Sequence, residues 1–391
     1  MLDSINIGVS GLLGYQQGLR TIANNTANLN TPGYKSSTLQ FTDLFYSNSN
    51  SGGRTTQLGY GLDTAGTRLD FSQGDLRQTG NDFDLAVDGE GLFVLKDDQG
   101  QRRYTRAGQF GFDGEGVLVS RIDGSKVMGL DSAGRSVEIT LDGVRVSPGK
   151  ATSLARLTGN LSSTGTEQTV SPVKVFDASG QEHALSVKFT NTNATAAGSW
   201  KVEVFDGATL VGTSQVVFVD GEPTPATSKL TFSYAPAGGT AQSLTLDLSA
   251  DVTSFASGNL STLAMTSQDG YAPGSLTKVT FDAAGTLVAT YSNGQTVKGS
   301  RLALGRFESL DAVEALGGGE FREASGIPWT VGSAGDAGFG PLRAGMLEIS
   351  NVDLSREFSS LVVMQRGYQA SSQVISTAND MLQELFGMKH K

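Results

Sequence analysis

The stretch DLSREFSSLVVMQRGYQASSQVISTANDMLQELF, residues 353–386, decides how the chain is built at its ends. Leu354, Leu361, Tyr368, Ile375 and Leu382 recur there at strict seven-residue intervals. Phe358 and Phe386 stand on the companion positions, and Gln365, Ser372 and Asn379 fill the rest. A seven-residue apolar repeat reads as a helix, and Asp353 is placed to cap it. Some 30 residues at ~1.5 Å each make a rod of about 45 Å, long for a globular helix. The start of the chain carries a counterpart. Ile5, Val9, Leu12, Leu19 and Ala23 fall at alternating four- and three-residue spacing, with Gln16 in the gap. Asp3 or Ser4 can cap this helix, and Pro32-Gly33 stops whatever follows. Both stripes are narrow and half polar. They suit either a helical hairpin packed on its own domain or lateral packing against many copies, where polar stripe positions fix register. Such weak stripes also predict disordered ends in a free monomer.

Between the ends the sequence reads as strands. Val173–Phe176, the turn Asp177-Ala178-Ser179-Gly180 and Ala184–Phe189 form one hairpin pattern; Leu287–Tyr291, Asn293-Gly294 and Gln295–Leu304 form another. Asn-Gly is a strong hairpin signal because both residues tolerate positive φ. Further turns are expected at Asp88-Gly89, Asp113-Gly114, Asp123-Gly124, Asp142-Gly143 and Asp206-Gly207. Phe281-Asp282-Ala283-Ala284-Gly285 echoes Phe176-Asp177-Ala178-Ser179-Gly180, which we read as shared turn chemistry rather than a repeat. Strands at this spacing suggest sandwiches or barrels. Composition breaks at 47–56 (a flexible or extended loop), Ser147-Pro148-Gly149, Gly270–Gly274 and the glycine-rich Gly332–Gly345 divide the chain. The expected fold is mainly β with long terminal α-helices. Residues 1–30 and 354–391 would form a discontinuous helical domain and 31–69 an extended linker. Residues 70–147 and 274–353 would form a first β domain, with 148–273 inserted in it as an outer β domain.

The 391 residues exceed one ordinary core. Their 51 glycines and 38% hydrophobic content suit a turn-rich β protein. A net charge of −10 argues against a nucleic-acid partner. That charge is confined to residues 31–352: residues 1–30 hold only Asp3 and Arg20, and residues 353–391 balance four basic against four acidic side chains. Neutral ends can crowd together while an acidic middle keeps the chain soluble. With no cysteine, disulfides, thiolate chemistry and Cys-ligated metals are excluded. The N-terminus lacks the basic and apolar regions of a Sec-type signal peptide, and no stretch approaches a membrane span.

No motif carries catalytic chemistry. His183 lies in a strand-like stretch and His390 is penultimate, and neither is set up for a Ser-His-Asp arrangement. Asp82, Asp84 and Asp88 fail the calcium-loop spacing, since Ala86 and Val87 occupy the fifth and sixth positions. Residues 82–89 read instead as a strand ending in a turn. Gly143 to Gly149-Lys150 has one residue too many for a phosphate loop, and Ala151 replaces the required hydroxyl. No cofactor or metal is expected.

Four blocks in order carry a resemblance. Ala23-Asn24-Asn25-Thr26-Ala27-Asn28-Leu29-Asn30-Thr31-Pro32-Gly33-Tyr34-Lys35 is similar to the N-terminal motif of the flagellar basal-body rod and hook family. Asn351-Val352-Asp353-Leu354-Ser355, Gln365-Arg366-Gly367-Tyr368-Gln369-Ala370 and Met381-Leu382-Gln383-Glu384-Leu385 resemble its C-terminal motif. Thr79–Val87 and Tyr104–Phe110 resemble its shared β domain. The resemblance implies paired terminal helices forming an inner tube, a β domain outside it and a second β domain projecting outward. It implies export through the flagellar type III apparatus without a cleaved signal, to the extracellular part of the flagellum. The implied partners are further copies of the chain and the rod, hook cap and hook–filament junction proteins. The extra segment at about 148–273 favours the hook-forming members, which build a flexible curved tube that passes torque from rod to filament. A rod protein with an insertion is the alternative. An exported adhesin or glycan-binding module is another, with Trp200 and Trp329 as its only tryptophans. On the family reading, Ile5, Val9, Leu12, Leu19, Leu354, Phe358, Leu361, Tyr368, Ile375 and Leu382 are the expected axial subunit interface.

Overall fold

The computed structural model describes residues 2–51, 54–324, 327 and 329–389; His390 and Pro328 lie outside them. The two terminal helices are α1, Leu2–Ala27, and α2, Leu354–Lys389. At ~1.5 Å per residue the 36 residues of α2 reach about 54 Å. Asp353 caps α2: its Oδ1 accepts the backbone N–H groups of Ser355 at 2.8 Å and Arg356 at 3.1 Å. At the other end the expected cap differs. Asp3 and Ser4 sit inside the first turn of α1, where the Asp3 charge complements the positive helix end. Gly33, at φ +70°, turns the chain out of the helix, and its N–H donates to Glu348 O at 2.8 Å.

Most of residues 31–69, expected to be an extended linker, is paired into strands. Strands β1, Ser37–Asp43, and β4, Leu62–Leu69, form one antiparallel ribbon; β2, Tyr46–Ser51, and β3, Arg54–Gly59, form a second between them. The Ser/Asn-rich run 47–56, read as a loop, therefore lies in two paired strands, apart from Gly52 and Gly53, which are outside the described residues. A ladder is made by backbone groups, so polar side chains do not prevent it.

Two compact units follow from the contacts of the chain. The first takes the chain up to Asp142, with Thr280–Val288 and everything from Lys298 onward; the second takes Gly143–Val279 and Ala289–Val297. In the first unit, early and late segments interleave in one antiparallel sheet. Leu92–Lys96 lies beside Lys126–Leu130 and Arg102–Thr105, and Arg102–Thr105 pairs Glu320–Glu323, which pairs Val313–Gly317. Leu92, Val94, Tyr104, Met128, Ala303 and Phe321 form its core, closed by Trp329, whose ring stacks on Tyr104 with centroids 4.0 Å apart. Asp82–Gly89 holds the fully buried strand Leu85–Val87.

The second unit is a β-sandwich. Glu167–Phe176, Glu182–Asn191, Ser199–Asp206 and Thr209–Val219 form an antiparallel meander. The facing sheet holds Lys229–Tyr234, Gln242–Thr253, Leu154–Asn160 and Ala264–Gln268. Alternate residues such as Leu230, Phe232 and Tyr234 point inward and share one core with Val175, Phe189, Trp200 and Val202. Both tryptophans are buried, Trp200 at 2% and Trp329 at 7% exposure, so neither offers a sugar-stacking surface. The echoed turns share one geometry. Asp177 Oδ1 accepts from Ser179 and Gln181 N–H, Asp282 Oδ1 from Ala284 and Thr286 N–H, and Gly180 and Gly285 supply the positive φ. His183 borders this turn, with Nε2 3.0 Å from Asp177 Oδ2.

Asp269 fastens the start of the strand Leu154–Asn160 in the second unit. It accepts Ser153 N–H at 2.8 Å, Leu154 N–H at 2.9 Å and the Ser153 hydroxyl at 2.6 Å, beside Lys150 Nζ at 3.1 Å. Burial alone would raise its pKa, but these donors outweigh burial and hold the carboxyl well below the usual range. A depressed folded pKa gives stability that is present above the unfolded value, ~4, and lost as pH falls through the folded one. Asp269→Asn is therefore expected to destabilise the second unit by about 1–2 kcal/mol at pH 7, with the difference shrinking below about pH 4. Urea unfolding of Trp329→Phe chains, read by Trp200 fluorescence at both pH values, measures this. A pH-independent difference would contradict it.

Candidate assembly surface

The helices α1 and α2 run antiparallel, and their seam is made of glycine. An added Cβ on Gly8 would lie 2.6 Å from Ile375 Cγ1, on Gly11 2.6 Å from Ser371 Oγ, and on Gly18 2.8 Å from Met364 Sδ. The reverse contact sets Gly367 of α2 beneath the Tyr15 ring, where a Cβ would stand 2.4 Å away. Gly14 receives Leu62 of β4 in the same manner. Each glycine gives a side chain of the facing helix a surface without a Cβ to seat on, so the gain is dispersion over close contacts.

Where the helices meet the β domain, a polar lock replaces the glycine seam. Asn25, 1% exposed, donates from Nδ2 to Glu357 Oε1 at 2.9 Å and to Ser37 O at 2.8 Å, and its Oδ1 accepts from Ser37 N–H and the Tyr34 hydroxyl. Burial and the neighbouring Glu357 raise the Tyr34 pKa. Below this, Glu348 is buried between Lys35 and Arg106. Lys35 Nζ donates to Glu348 Oε1 at 2.7 Å, Arg106 Nε donates to Glu348 Oε2, and the Arg106 guanidinium also donates to the carbonyls of Val87, Gly89 and Gly91. Burial lowers the Lys35 pKa, and the Glu348 carboxylate opposes that shift. Asn351 completes the junction, accepting from Ser36 N–H at 2.8 Å and donating to Asp70 O at 2.8 Å. Apart from Arg106, which belongs to the Tyr104–Phe110 block, the side chains of this junction lie in or beside the terminal motifs and join the first 37 residues to residues 348–357.

The ten residues expected at the interface do not form one face. Ile5, Leu12 and Leu19 are half-buried and Val9 is exposed. At ~100° per residue their stripe lies about a quarter turn from the glycine seam. On α2, Leu361, Ile375 and Leu382 are half-buried, while Leu354, Phe358 and Tyr368 are exposed. The strict seven-residue repeat drifts by ~20° per heptad on a straight helix. It runs from an open flank at Leu354 into the seam, where Ile375 meets Gly8. Apolar periodicity gives glycine no weight, so the seam glycines carry no signal in it; their three- and seven-residue spacing at positions 8, 11 and 18 does. A second exposed stripe was also missed: Val363, Val374, Met381 and Met388, the last three at strict seven-residue spacing, with Met388 79% exposed.

An isolated helix gains up to ~1 kcal/mol for each Gly→Ala change. Replacing Gly8, Gly11 and Gly18 together with Ala should nevertheless lower the melting temperature of the helical signal in circular dichroism, because all three Cβ atoms enter the α2 surface. A raised melting temperature would mean that the helices do not pack through this face.

Among the described residues no group of three or more His, Cys, Asp or Glu side chains could hold a metal, and no helix is long and apolar enough to cross a membrane. Four family models match in order. They are the flagella basal body rod protein over residues 5–35, the flagellar hook protein FlgE/F/G D1 domain over 86–155, the flagellar basal body protein FlaE D2 domain over 150–271, and the flagellar basal body rod FlgEFG protein C-terminal over 343–388. The flagellar hook protein FlgE of Salmonella typhimurium is 30% identical, over 99% of this chain and 100% of its own length. That of Escherichia coli K12 is 30% identical over 97% and 98%, and that of Treponema pallidum 28% identical over the full length of both. Among solved structures, Helicobacter pylori flagellar hook protein FlgE2 superposes with a TM-score of 0.51 at 13% identity, covering 70% of this chain and all of that one. That likeness concerns the fold alone.

Proposed function

The chain belongs to the flagellar hook protein FlgE family, and on that premise we propose that the exposed flanks of α1 and α2 are the surfaces through which it polymerises. It is a structural subunit of the flagellar hook rather than an enzyme. The observation that carries the assembly reading is the state of α2. A helix of 36 residues leaves Phe358, Val362, Val363, Met381, Phe386 and Met388 each more than half exposed in one subunit. Apolar area of this extent marks an interaction site, and burying each such side chain is worth about 1.5–3 kcal/mol.

In this reading Ile5, Val9, Leu12, Leu19, Leu354, Phe358, Leu361, Tyr368, Ile375 and Leu382 line the axial core together with the glycine seam. Residues 1–30 and 354–391 act as the polymerising domain, 31–69 as its connector, 70–147 with 274–353 as the inner β domain and 148–273 as the outer one. The tube curves and bends as it passes torque from rod to filament, which requires outer contacts that are polar and hydrated so that small energies separate neighbouring spacings. The rod, hook cap and hook–filament junction proteins are its partners at the two ends, and subunits arrive unfolded through the type III export apparatus without a cleaved signal, outside the cell.

Negative-stain electron microscopy tests this. Full-length protein concentrated in salt is expected to form curved tubes, and a chain lacking residues 1–30 and 354–391 to form none. Phe358→Asp and Tyr368→Asp place charge on exposed positions, so each should abolish tubes while changing the urea stability of the β units by less than about 0.5 kcal/mol. Normal tubes from both variants would remove these residues from the interface.

A further inference from the structure

On its side roughly opposite the α2 seam, α1 exposes two apolar residues among Gln16, Gln17 and Arg20. Val9 is 41% and Leu13 61% exposed. Leu13 stands at the mouth of a groove of about 600 Å³ between α1 and β4, walled by Ser10, Leu44, Leu62 and Asp63 and reaching Arg20. Leu44 and Leu62 form its half-buried floor. The other unclaimed apolar face of the pair is the stripe Val363, Val374, Met381 and Met388 on α2.

Three features suit the two faces to each other. They are unlike in shape, one a groove between α1 and β4 and one a ridge on α2, and both belong to the first unit. Contacts between unlike faces are heterologous and propagate into open helical polymers instead of closing into a dimer. Charge does not oppose the contact either: the groove's Arg20 and Asp63 sum to zero and both are exposed, so each can stay hydrated beside the uncharged ridge residues. Finally, the ridge runs past the groove. The seam places Ile375 at the height of Gly8 and Met364 at the height of Gly18, so Val363 and Val374 bracket the level of Leu13. A neighbour of the same orientation presents them there antiparallel to α1.

Resting on the assembly reading above, we propose that the groove between α1 and β4 receives the Val363–Val374–Met381 ridge of a second copy of this chain. This contact, in addition to the helix seam inside each subunit, would set the spacing between neighbouring copies.

The chain has no cysteine, so one introduced thiol labels uniquely. Leu13→Cys carrying a benzophenone maleimide is mixed as a minor fraction with unlabelled, nitrogen-15 chain, assembled and irradiated. Mass spectrometry should find adducts on heavy peptides from residues 363–388, at least tenfold above the unassembled mixture. The reciprocal probe on Val374→Cys should mark heavy peptides from residues 9–20 or 44–64. Tubes that incorporate either label but give adducts elsewhere, or none, overturn the proposal and leave the assembly reading standing. Failure of the unlabelled chain to form tubes would overturn both.

Discussion

A single buried carboxylate ties the two ends of this chain together. Glu348, with its side chain 1% exposed, bridges Lys35 and Arg106, and Lys35 stands 313 positions away in sequence. The remaining donors of the two cations are met by the carbonyls of Val87, Gly89, Gly91 and Ser72. Removing one member of a buried cluster of this kind typically costs 3–5 kcal/mol, because the partners remain charged and unpaired. The arrangement fixes where α1 ends and α2 begins, with Asn25 and Glu357 closing the gap one turn further on. Everything the helices do outside the β domain starts from that fixed point.

From the junction outward the helices are held by shape. Glycines at Gly8, Gly11 and Gly18 seat Ile375, Ser371 and Met364 of α2 against α1, and Gly367 seats Tyr15. Other large apolar side chains, Leu13, Phe358, Val363 and Met381 among them, remain on the flanks, where a monomer gains little from them. The same choice explains two otherwise opposed properties. The pair is narrow and closely fitted, yet it exposes apolar residues along much of its length, as a subunit that completes its core only with neighbours must do. Its neutral charge lets copies approach, while the net −10 stays in the chain between the ends.

Local signals were legible in the sequence. The Asp353 cap and the Asp-x-x-Gly turns at Asp177 and Asp282 are decided by a few adjacent residues, and the structure contains each. What could not be read depends on residues far apart or on side chains that are missing. The glycine seam is defined by the absence of Cβ atoms. The Lys35–Glu348–Arg106 cluster joins three positions that nothing local relates, although Lys35 belongs to a recognisable motif. The β2–β3 ribbon is built from Ser, Asn and Thr, whose polarity argued for a loop while their backbones paired. The seven-residue stripe on α2 was read correctly as helical, but its drift around the helix divides it between seam and flank.

The central claim is that the terminal helix pair is the element buried on assembly. Hydrogen exchange followed by mass spectrometry, on monomer and on assembled tubes at the same pH and temperature, measures it directly. The account predicts that the largest slowing falls in residues 2–27 and 354–389, by at least about tenfold, a gain of about 1.4 kcal/mol in local stability. Equal exchange of those helices in monomer and tube, with slowing confined to the β units, would contradict it.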